Sequence, residues 1–361
     1  MTRITFTVTN DLTYDQRMIR ICNSLANAGY DVTLVGVNRK DSIPLVDKSF
    51  KQKRLSVLFQ NGILFYVEFN FRLFLYLLFK KSNVFCCIDL DTMLPVYYTS
   101  VIRKKNRVYD AHEYFSQQKE IITRPRIYKI WHYIERKYVP RFRNGYTVAE
   151  SIRDEFREKY NVDYEVIRNV SKLKPLEVPE KKLKSILYQG SINEARGFEF
   201  LIPAMKEVDA PLLIYGDGNF TEQAREIIRK NNLEEKVFLK GKVSPENLDE
   251  ITKDSYIGIN LVEPLGLNQY FSLANKFFDY MQHCIPQITM NFPEYKRVND
   301  QFEIALLISE LSVDSVSKAI NRLLNDYELY QRLQYNCLLG RKIINWENEE
   351  IKLIQFYQNV T

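Results

Sequence analysis

Short apolar runs rich in β-branched and aromatic residues alternate with helical patterns along most of this chain of 361 residues. The run ITFTVTN is followed by a helical pattern that Asp11 or Thr13 is placed to cap and that Gly29 ends. The strand-like runs YDVTLVGV, NVFCCIDL, RVYDAHE and NGYTVAE come next, and helical patterns separate them. Strands and helices that alternate in this way build parallel sheets covered by helices on both faces. The sequence therefore predicts an α/β protein.

The second half of the chain repeats this alternation. Its predicted strands are SILYQG, PLLIYGDG, KVFLKGKV and YIGINLV, and its predicted helices are RGFEFLIPAMKEV, TEQAREIIRKNN and ENLDEITKD. The segment 171–182, SKLKPLEVPEKK, is rich in lysine and proline and is typical of a linker. We therefore predict an N-terminal Rossmann-like domain over 1–170 and a C-terminal one over 183–345. Open α/β sheets bind ligands beyond the carboxyl ends of their strands, so we expect the domains to face each other across a cleft.

The composition is that of a soluble globular protein, with 45% hydrophobic and 27% charged residues. The five cysteines show no CxxC spacing, which indicates reduced thiols in a cytoplasmic protein. The three histidines lie far apart in the sequence, so we expect no histidine-based metal site. The first ten residues alternate like a strand, and we expect no signal peptide. The apolar run 55–67 ends at Glu68 and is too short to predict a transmembrane helix.

Charge is distributed unevenly along the chain. Residues 1–150 contain 24 lysines and arginines against 13 acids, whereas the remainder is acidic overall. A basic first half favours an anionic partner, such as an anionic membrane surface, or is simply solvated. Nucleic acid is a weaker hypothesis, because the basic residues are scattered and no nucleic-acid-binding motif is present. The segment 69–81, FNFRLFLYLLFKK, is compatible with an interfacial helix and with a buried core helix.

Several candidate binding residues follow the predicted strands of the second half. Gly190 ends one strand, and Arg196 precedes the next helix, where it is placed to bind a phosphate. The glycines of Gly216–Gly218 allow the backbone to approach a ligand, although such a sequence is often only a turn. Val243 follows the next strand, where its backbone is placed to contact a base, and Ser244 is a candidate helix cap.

The segment 272–290, SLANKFFDYMQHCIPQITM, predicts a loop, a short helix, a proline stop and a buried strand. Lys276 and Asp279 are three residues apart at the start of that helix, so they share one face. A cation, an acid and a helix N-terminus together suit a ligand with a phosphate and sugar hydroxyls. An amphipathic helix with a surface salt bridge is the alternative.

In the first half, His112 follows the strand RVYD and is flanked by Asp110 and Glu113, which are candidates for orienting its imidazole. A purely structural histidine is the alternative. The pair Asp89 and Asp91 also follows a strand. Two carboxylates are too few to predict a metal site, and of the remaining roles we favour a helix cap over contact with a ligand.

Five segments, in this order, resemble the GT-B glycosyltransferases, and in particular the retaining family four and its bacterial surface-polysaccharide branch. They are YDQRMIRICNSLANAGYDVTLVG, RVYDAHEYF, YQGSINEARGFEFLIPA, SLANKFFDYMQHCIPQ and INWENEEIKLIQFYQNV. The last resembles the closing helix of that family, so we predict that 346–361 packs back toward the N-terminal domain. The resemblance implies a hexosyltransferase that moves a sugar from a nucleoside-diphosphate sugar to a saccharide, in many members a lipid-linked glycan on the inner membrane face. It also implies retention of anomeric configuration without a metal or other cofactor.

The resemblance also implies roles for individual residues. Arg196 matches the basic residue that grips the donor diphosphate, and Asp279 matches the second acid of the EX7E motif, which binds the ribose. Asn275 and Lys276 match the loop whose backbone meets the phosphates, and His112 matches a histidine that faces the transferred sugar. We therefore predict catalytic roles for His112, Arg196 and Lys276. The predicted donor-binding residues are Gly190, Gly216, Asp217, Gly218, Val243, Asn275 and Asp279, and the predicted acceptor-binding residues are Asp15, Arg17 and Glu113.

The sequence departs from the family pattern at several points, among them Arg196 in place of a lysine and Asp279 in place of a glutamate. Phe271 stands where the first acid of EX7E is expected, Ser191 replaces an arginine, and residues 10–17 replace a glycine-rich loop. Two other functions therefore stay open: a nucleotide-sugar epimerase of the same fold and a non-catalytic nucleotide-binding protein. The sugar, the base and the acceptor are not readable from the sequence.

Overall fold

A computed structural model describes residues 1–13, 15–175 and 184–361 of the protein. They divide into an N-terminal unit, Met1–Asn169 with Glu349–Thr361, and a C-terminal unit, Val170–Asn348. Most of the predicted linker, from residue 176 onward, lies outside the described residues. Each unit has its own parallel sheet with helices packed around it, which confirms the predicted α/β fold class.

Among the described residues, the N-terminal unit has one sheet of seven parallel strands in the order β3-β2-β1-β4-β5-β6-β7. Its strands are β1 (Arg3–Thr7), β2 (Asp31–Asn38), β3 (Lys51–Ser56), β4 (Val84–Ile88), β5 (Asn106–Ala111), β6 (Asn144–Thr147) and β7 (Glu165–Val166). Sequence patterns missed β3, because KQKRLS has few apolar residues. Such a strand is suited to the edge of a sheet, where charged side chains discourage pairing with another chain.

The helices of the N-terminal unit up to residue 160 are α1 (Gln16–Asn27), α2 (Gly62–Phe79), α3 (Met93–Ile102), α4 (Lys119–Ile122), α5 (Pro125–Tyr138) and α6 (Glu150–Tyr160). The predicted caps of α1 are wrong: Asp15, not Asp11 or Thr13, accepts a hydrogen bond from the Met18 amide at 2.9 Å. Gly29 does follow its end, with the left-handed φ of +93° that favours glycine.

Helix α2 is only partly buried, so the alternative of a buried core helix is wrong, whereas that of an interfacial helix stays a prediction. It buries one stripe of side chains, Phe65, Phe69, Leu73 and Leu77, and leaves most of the others in contact with solvent. By length and composition alone, its 18 residues suffice to cross a membrane. The sequence analysis missed this because Glu68 and Arg72 interrupt the apolar run, although they form an ion pair with each other at 2.8 Å.

The sheet of the C-terminal unit has, among the described residues, six parallel strands in the order β10-β9-β8-β11-β12-β13. The strands are β8 (Ile186–Gln189), β9 (Leu212–Tyr215), β10 (Val237–Gly241), β11 (Ile257–Asn260), β12 (Gln287–Met290) and β13 (Ala305–Ile308). The helices are α7 (Phe198–Ala204), α8 (Thr221–Lys230), α9 (Pro245–Asp254), α10 (Leu267–Tyr270), α11 (Asn275–Gln282), α12 (Pro293–Phe302), α13 (Val313–Asn325), α14 (Tyr327–Ile343) and α15 (Trp346–Val360). Most of α15 belongs to the N-terminal unit, where Tyr357 is fully buried and packs against Phe6 of β1.

Candidate functional site

The candidate donor residues gather at one point of the C-terminal sheet. The strand order reverses between β8 and β11, and in open α/β sheets ligands bind beyond the carboxyl ends of the strands at such a point. The loop after β8 carries Gly190 and Arg196, and the loop after β11 leads to helix α11. Tyr280 of α11 holds the helix against both strands, because its hydroxyl is within hydrogen-bonding distance of the Leu187 carbonyl in β8, at 3.1 Å, and of the Ile259 carbonyl in β11, at 3.3 Å.

Lys276 lies in the second position of α11 and extends over the end of β8. Its ammonium nitrogen is 3.5 Å from the centre of the Tyr188 ring, a cation–π contact. A Cβ added to Gly190 would lie 3.5 Å from the same nitrogen, so ammonium and loop are in close proximity. Among the residues that the structure describes, no carboxylate lies within ion-pair distance of Lys276 or of Arg196.

Burial and, next, the nearby charge of Arg196 hold the pKa of Lys276 well below its ordinary value, against the opposing charge of Asp279. Arg196 also acts on Tyr188, where its charge opposes the effect of burial on the pKa of the phenol. The two cations are therefore near neighbours that repel each other. An anion bound between them would relieve that repulsion and restore the charge of Lys276.

The N-terminus of α11 adds to this positive region. Its N-cap residue is Ala274, whose side chain cannot accept a hydrogen bond. The Ala274 amide itself donates to the Tyr295 hydroxyl at 3.1 Å. A helix N-terminus without a side-chain cap has outward-pointing amides that favour an anion. Asn275, the first residue of the helix, is exposed at this end.

Asp279 lies one turn further along α11, and protein groups already contact its carboxylate. The Ser171 hydroxyl donates to Oδ1, and the Gln189 amide donates to Oδ2 at 3.3 Å. Gln189 is oriented in turn by Thr252, whose hydroxyl donates to it at 2.7 Å. A ribose contact by Asp279 stays a prediction, and the network shows how its side chain is held in place.

The turn Gly216–Gly218 is organised differently from the sequence-based interpretation. A Cβ at Gly216 would overlap the carbonyl oxygen of Gly190, and one at Gly218 would overlap the carbonyl of Ile192. The glycines thus make room for the neighbouring protein loop, a reason that the sequence analysis did not give, and close approach of this backbone to a ligand stays a prediction. Asp217 accepts from the Gly218 amide at 2.8 Å and from Thr221 at 3.1 Å, so it stabilises the turn.

Val243 lies just beyond β10, the strand next to β9, and is partly buried. The predicted cap after it is confirmed, because the Ser244 hydroxyl accepts a hydrogen bond from the Asn247 amide at 3.3 Å. Gly190, Gly216 and Val243 therefore follow three adjacent strands at the same edge of the sheet, and Lys276 and Asp279 join them from α11. Binding of a donor by these residues stays a prediction.

The N-terminal unit has a cavity of about 190 Å³ at its own reversal of strand order, between β1 and β4. The cavity is lined by Val8, Thr9, Asn10, Asp15, Arg17, Met18, Ile88, Asp89, Asp91 and His112. It brings together Asp15, Arg17 and His112 from the predicted set. The sequence analysis did not name Thr9 and Asn10 as site residues, although they too directly follow a strand.

Arg17 is occupied within the protein. Its two terminal nitrogens donate to the two carboxylate oxygens of Asp110 at 2.7 and 2.6 Å, and both side chains are buried, at 5% and 0% exposed. Both carboxylate oxygens of Asp110 therefore accept hydrogen bonds from Arg17, and the expectation that Asp110 orients His112 is wrong. The neutralised pair forms one wall of the cavity, and contact of Arg17 with an acceptor stays a prediction.

His112 lies in this wall as a neutral imidazole. Burial first, and then the charges of Arg17 and Arg20, lower its pKa to about 3. Glu113 contributes its amide, which donates to Asp89 at 3.1 Å, and its carboxylate, which accepts from Gln118. The predicted helix-cap role of Asp89 is wrong, because its side chain makes no cap bond and its backbone has φ of +54°.

Asp91 faces the same cavity and accepts from the Thr9 hydroxyl at 2.5 Å. Burial raises the pKa of Asp91 to about 7 against the opposing effect of Thr9. The cavity therefore presents a neutral imidazole, carboxylates and hydrogen-bonding side chains. Such a set suits the hydroxyl groups of a sugar. In the described parts of the chain, no three His, Cys, Asp or Glu side chains are arranged to hold a metal ion.

The match to a family model agrees with the geometry of the C-terminal unit. Residues 171–337 match the family described as glycosyl transferases group 1. The chain carries a glycosyltransferase domain. This domain contains Gly190, Arg196, Lys276 and Asp279, whereas the cavity of the N-terminal unit lies outside the match. No curated protein sequence matches the chain.

Solved structures resemble the whole chain in fold. Sucrose-phosphate synthase from Thermosynechococcus elongatus is 15% identical, with a TM-score of 0.83 and coverage of 99% of both chains. A glycosyltransferase from Rickettsia africae is 12% identical, with a TM-score of 0.77 over 99% of this chain and 98% of the other. HepE from Anabaena, solved with UDP and glucose, is 10% identical, with a TM-score of 0.77 over 99% of both chains. These likenesses confirm the GT-B fold.

Proposed function

We propose that the protein is a retaining glycosyltransferase of family four that transfers a sugar from a UDP-sugar to a saccharide acceptor. The proposal depends on one observation: Lys276 and Arg196 lie near Tyr188 at the strand-order reversal of the C-terminal sheet, and no described carboxylate pairs with either. Two uncompensated cations beside an uncapped helix N-terminus suit a diphosphate. The UDP held by HepE supports the choice of nucleotide.

In this proposal the positive region stabilises the departing diphosphate. Cleavage of the bond between sugar and phosphate leaves negative charge on the leaving group, and fixed cations and helix amides that are already in place lower the barrier. Lys276 and Arg196 supply that charge, so we propose that the reaction needs no metal. Asn275, Gly190 and Val243 contact the nucleotide through their backbones, and Asp279 binds its ribose.

We further propose that the cavity of the N-terminal unit binds the acceptor. Asp15, Asp89 and Asp91 are placed there to accept hydrogen bonds from sugar hydroxyls, and His112 faces the transferred sugar as a neutral group. The acceptor we favour is a lipid-linked glycan of a bacterial surface polysaccharide, reached from the cytoplasmic side of an anionic membrane. The excess of basic residues in the first half of the sequence supports this choice.

Binding of UDP, measured by titration calorimetry, tests the donor site. We expect the wild-type protein to bind UDP, and to bind uridine, which lacks phosphates, far more weakly. Lys276→Met and Arg196→Met should each weaken UDP binding by roughly 10- to 100-fold, the effect of one lost charge-assisted hydrogen bond. The matched control is Lys318→Met, because Lys318 is an exposed cation of the same unit that pairs with Asp314. Unchanged UDP affinity in both site variants would contradict the proposal.

Turnover separates transfer from the two other functions. UDP-sugars incubated with a panel of saccharide acceptors should yield a glycoside whose anomeric configuration, read by NMR, equals that of the donor. Full turnover in the presence of a chelator is expected if no metal takes part. An epimer formed from the donor alone would identify an epimerase instead. UDP binding without any product would favour a non-catalytic protein, in line with Phe271 at the position of an acid.

A further inference from the structure

Helix α2 presents an apolar stripe to solvent that no part of the described chain covers. Ile63, Val67, Phe71, Leu75 and Phe79 recur every four residues along it, and Val67, Phe71 and Phe79 are 63%, 62% and 86% exposed. The buried stripe that starts at Phe65 runs along the opposite side of the helix. Monomeric soluble proteins rarely expose a contiguous row of large apolar side chains, so this row marks a contact surface.

The exposed apolar surface continues onto two neighbouring helices, α3 and α5. Arg103, which follows α3, donates to the Leu77 carbonyl of α2 at 2.9 Å. Tyr66 of α2 lies edge-on to Trp131 of α5, with ring centres 5.5 Å apart, and the hydroxyls of Tyr98 and Tyr138 join α3 to α5 at 2.7 Å. Exposed large side chains on the two added helices are Tyr98, Val101, Ile102, Ile127, Ile130 and Tyr133. We call the exposed residues of the three helices the α2–α3–α5 face.

The exposed charges on these three helices and at their ends have one sign. The segments 61–81, 93–105 and 124–138 contain eight exposed cations, and within these described segments no acid is exposed. The cations are Arg72, Lys81, Lys104, Arg124, Arg126, Lys129, Arg136 and Lys137. The two acids of these segments are engaged: Glu68 accepts from the Leu58 and Phe59 amides, and Glu135 accepts from the Tyr160 hydroxyl. Large apolar residues among exposed cations match the interface of an anionic bilayer.

The fold decides whether α2 crosses a membrane or lies on it. An α-helix of 18 residues is about 27 Å long, close to the thickness of a bilayer core, so its length alone does not discriminate. However, α2 connects β3 to β4, and both strands belong to one parallel sheet. Both ends of the helix are thus tied to the same folded unit, into which Phe65, Phe69, Leu73 and Leu77 are packed. A helix held in this way has only its outer side free for lipid.

We propose that the α2–α3–α5 face docks on an anionic lipid bilayer, with α2 lying in the plane of the interface and not across it. Phe71 and Phe79 insert among the acyl chains, and the surrounding lysines and arginines contact lipid phosphates. This inference rests on the proposed function in one respect, since it names the surface by which the enzyme reaches a lipid-linked acceptor. Docking itself does not require the transfer reaction.

Vesicle flotation tests the proposal on the full-length protein. The wild-type protein should float with vesicles of phosphatidylglycerol and phosphatidylcholine and should not float with phosphatidylcholine alone. Flotation should decrease as salt is raised, because salt screens the cations. The double variant Phe71→Glu/Phe79→Glu should lose vesicle affinity by at least about tenfold, since two apolar anchors are replaced by acids. Lys104→Glu/Lys129→Glu should reduce binding to the anionic vesicles in the same direction.

Ile351→Glu is the matched control on the other face of the same sheet. Phe6 of β1 is paired with Cys86 of β4, so their side chains lie on the same face of the sheet, and Tyr357 of α15 packs against Phe6 on that face. Phe85 precedes Cys86 in β4 and therefore points to the opposite face, where Arg103 lies over its ring. Ile351 of α15 is 55% exposed, and its substitution should leave flotation unchanged. Denaturant unfolding of every variant checks the fold of the N-terminal unit, and UDP titration keeps the two proposals separate. Vesicle binding without UDP binding would contradict the proposed donor site and leave the docking surface unaffected.

Three results would overturn the inference. Wild-type protein that stays unbound to anionic vesicles at low salt would show that the face does not dock on lipid. A dimer in sedimentation experiments that Phe71→Glu/Phe79→Glu dissociates would assign the face to a second copy of the chain. Protein that resists extraction from anionic vesicles by alkaline carbonate would indicate a helix that crosses the bilayer, whereas we expect complete release.

Discussion

At the scale of single residues, the unusual feature is Lys276, which has no carboxylate at ion-pair distance among the residues that the structure describes. A partly buried ammonium ordinarily finds a carboxylate, because burial of an unpaired charge costs free energy. Lys276 contacts instead the face of an aromatic ring, 88 positions earlier in the sequence, and has Arg196 as a neighbour. This arrangement costs stability in the empty protein and is compensated once a dianion binds, which is typical of a preorganised anion site.

The pH dependence of UDP affinity follows from this arrangement. The pKa of Lys276 is lowered in the empty protein and should return toward its ordinary value when phosphates bind. Between these two pKa values binding takes up a proton, so UDP affinity should fall as pH rises, by up to about tenfold per pH unit.

Calorimetry in buffers of different ionisation enthalpy measures that proton uptake directly. Lys276→Arg is the matched variant, because a guanidinium stays charged throughout the range and should remove the uptake at this position. Wild-type affinity that does not change with pH between neutral and alkaline solution would show that Lys276 is charged before UDP arrives.

At the scale of elements, the loops after β8 and β9 are built around each other. The Gly190 amide donates to the Tyr215 carbonyl at 3.0 Å, and the Ile192 amide donates to the Asp217 carbonyl at 3.1 Å. Gly216 has a φ of +146°, and the carbonyl of Gly190 occupies the space that a side chain would need. The position of the loop that carries Arg196 therefore depends on a glycine in the next turn.

Gly216→Ala should displace that loop. We expect a decrease in unfolding free energy of about 1–3 kcal/mol from overpacking and from the strained φ, together with weaker UDP binding. Gly241→Ala is the control: Gly241 ends the adjacent strand with φ of +74°, and no atom lies within 4 Å of the added Cβ. Denaturant unfolding and UDP titration measure both effects. Equal losses of UDP affinity in the two variants would mean that backbone strain alone, and not the clash with Gly190, is responsible.

At the scale of the whole molecule, the end of the chain returns to complete the first unit. Glu349–Thr361 belongs to the N-terminal unit, although the C-terminal unit separates it in sequence from Asn169. Tyr357 is fully buried, with its ring centre 5.8 Å from that of Phe6 and 6.3 Å from that of Tyr146. Arg168 is also tied to this segment, because its amide donates to the Glu349 carboxylate at 2.9 Å.

Tyr357→Ala should destabilise one unit selectively. Loss of a large buried aromatic side chain lowers the free energy of unfolding by about 3–5 kcal/mol, and we expect this loss in the N-terminal unit. Hydrogen exchange should show reduced protection in β1 and β4 and unchanged protection in β8 and β11, with UDP affinity preserved. Ile351→Ala, an exposed position in the same helix, should have little effect. A matching loss of protection in β8 and β11 would show that the two units unfold as one.

The sequence alone determined the features that depend on neighbouring residues. Local patterns predict the alternation of strands and helices, the ends of the strands and the helix that carries Lys276 and Asp279. Because parallel strands place their carboxyl ends along one edge of a sheet, the candidate donor residues could also be placed at that edge. The packing of distant segments decided the rest. Arg17 and Asp110 are 93 residues apart, and the residues next to each of them in the sequence do not indicate that the two side chains form an ion pair. The glycines of Gly216–Gly218 are required by a loop of the adjacent strand, and only the tertiary structure shows which side of α2 stays exposed. Such contacts are set by how whole elements pack against one another, a property that no short window of sequence contains.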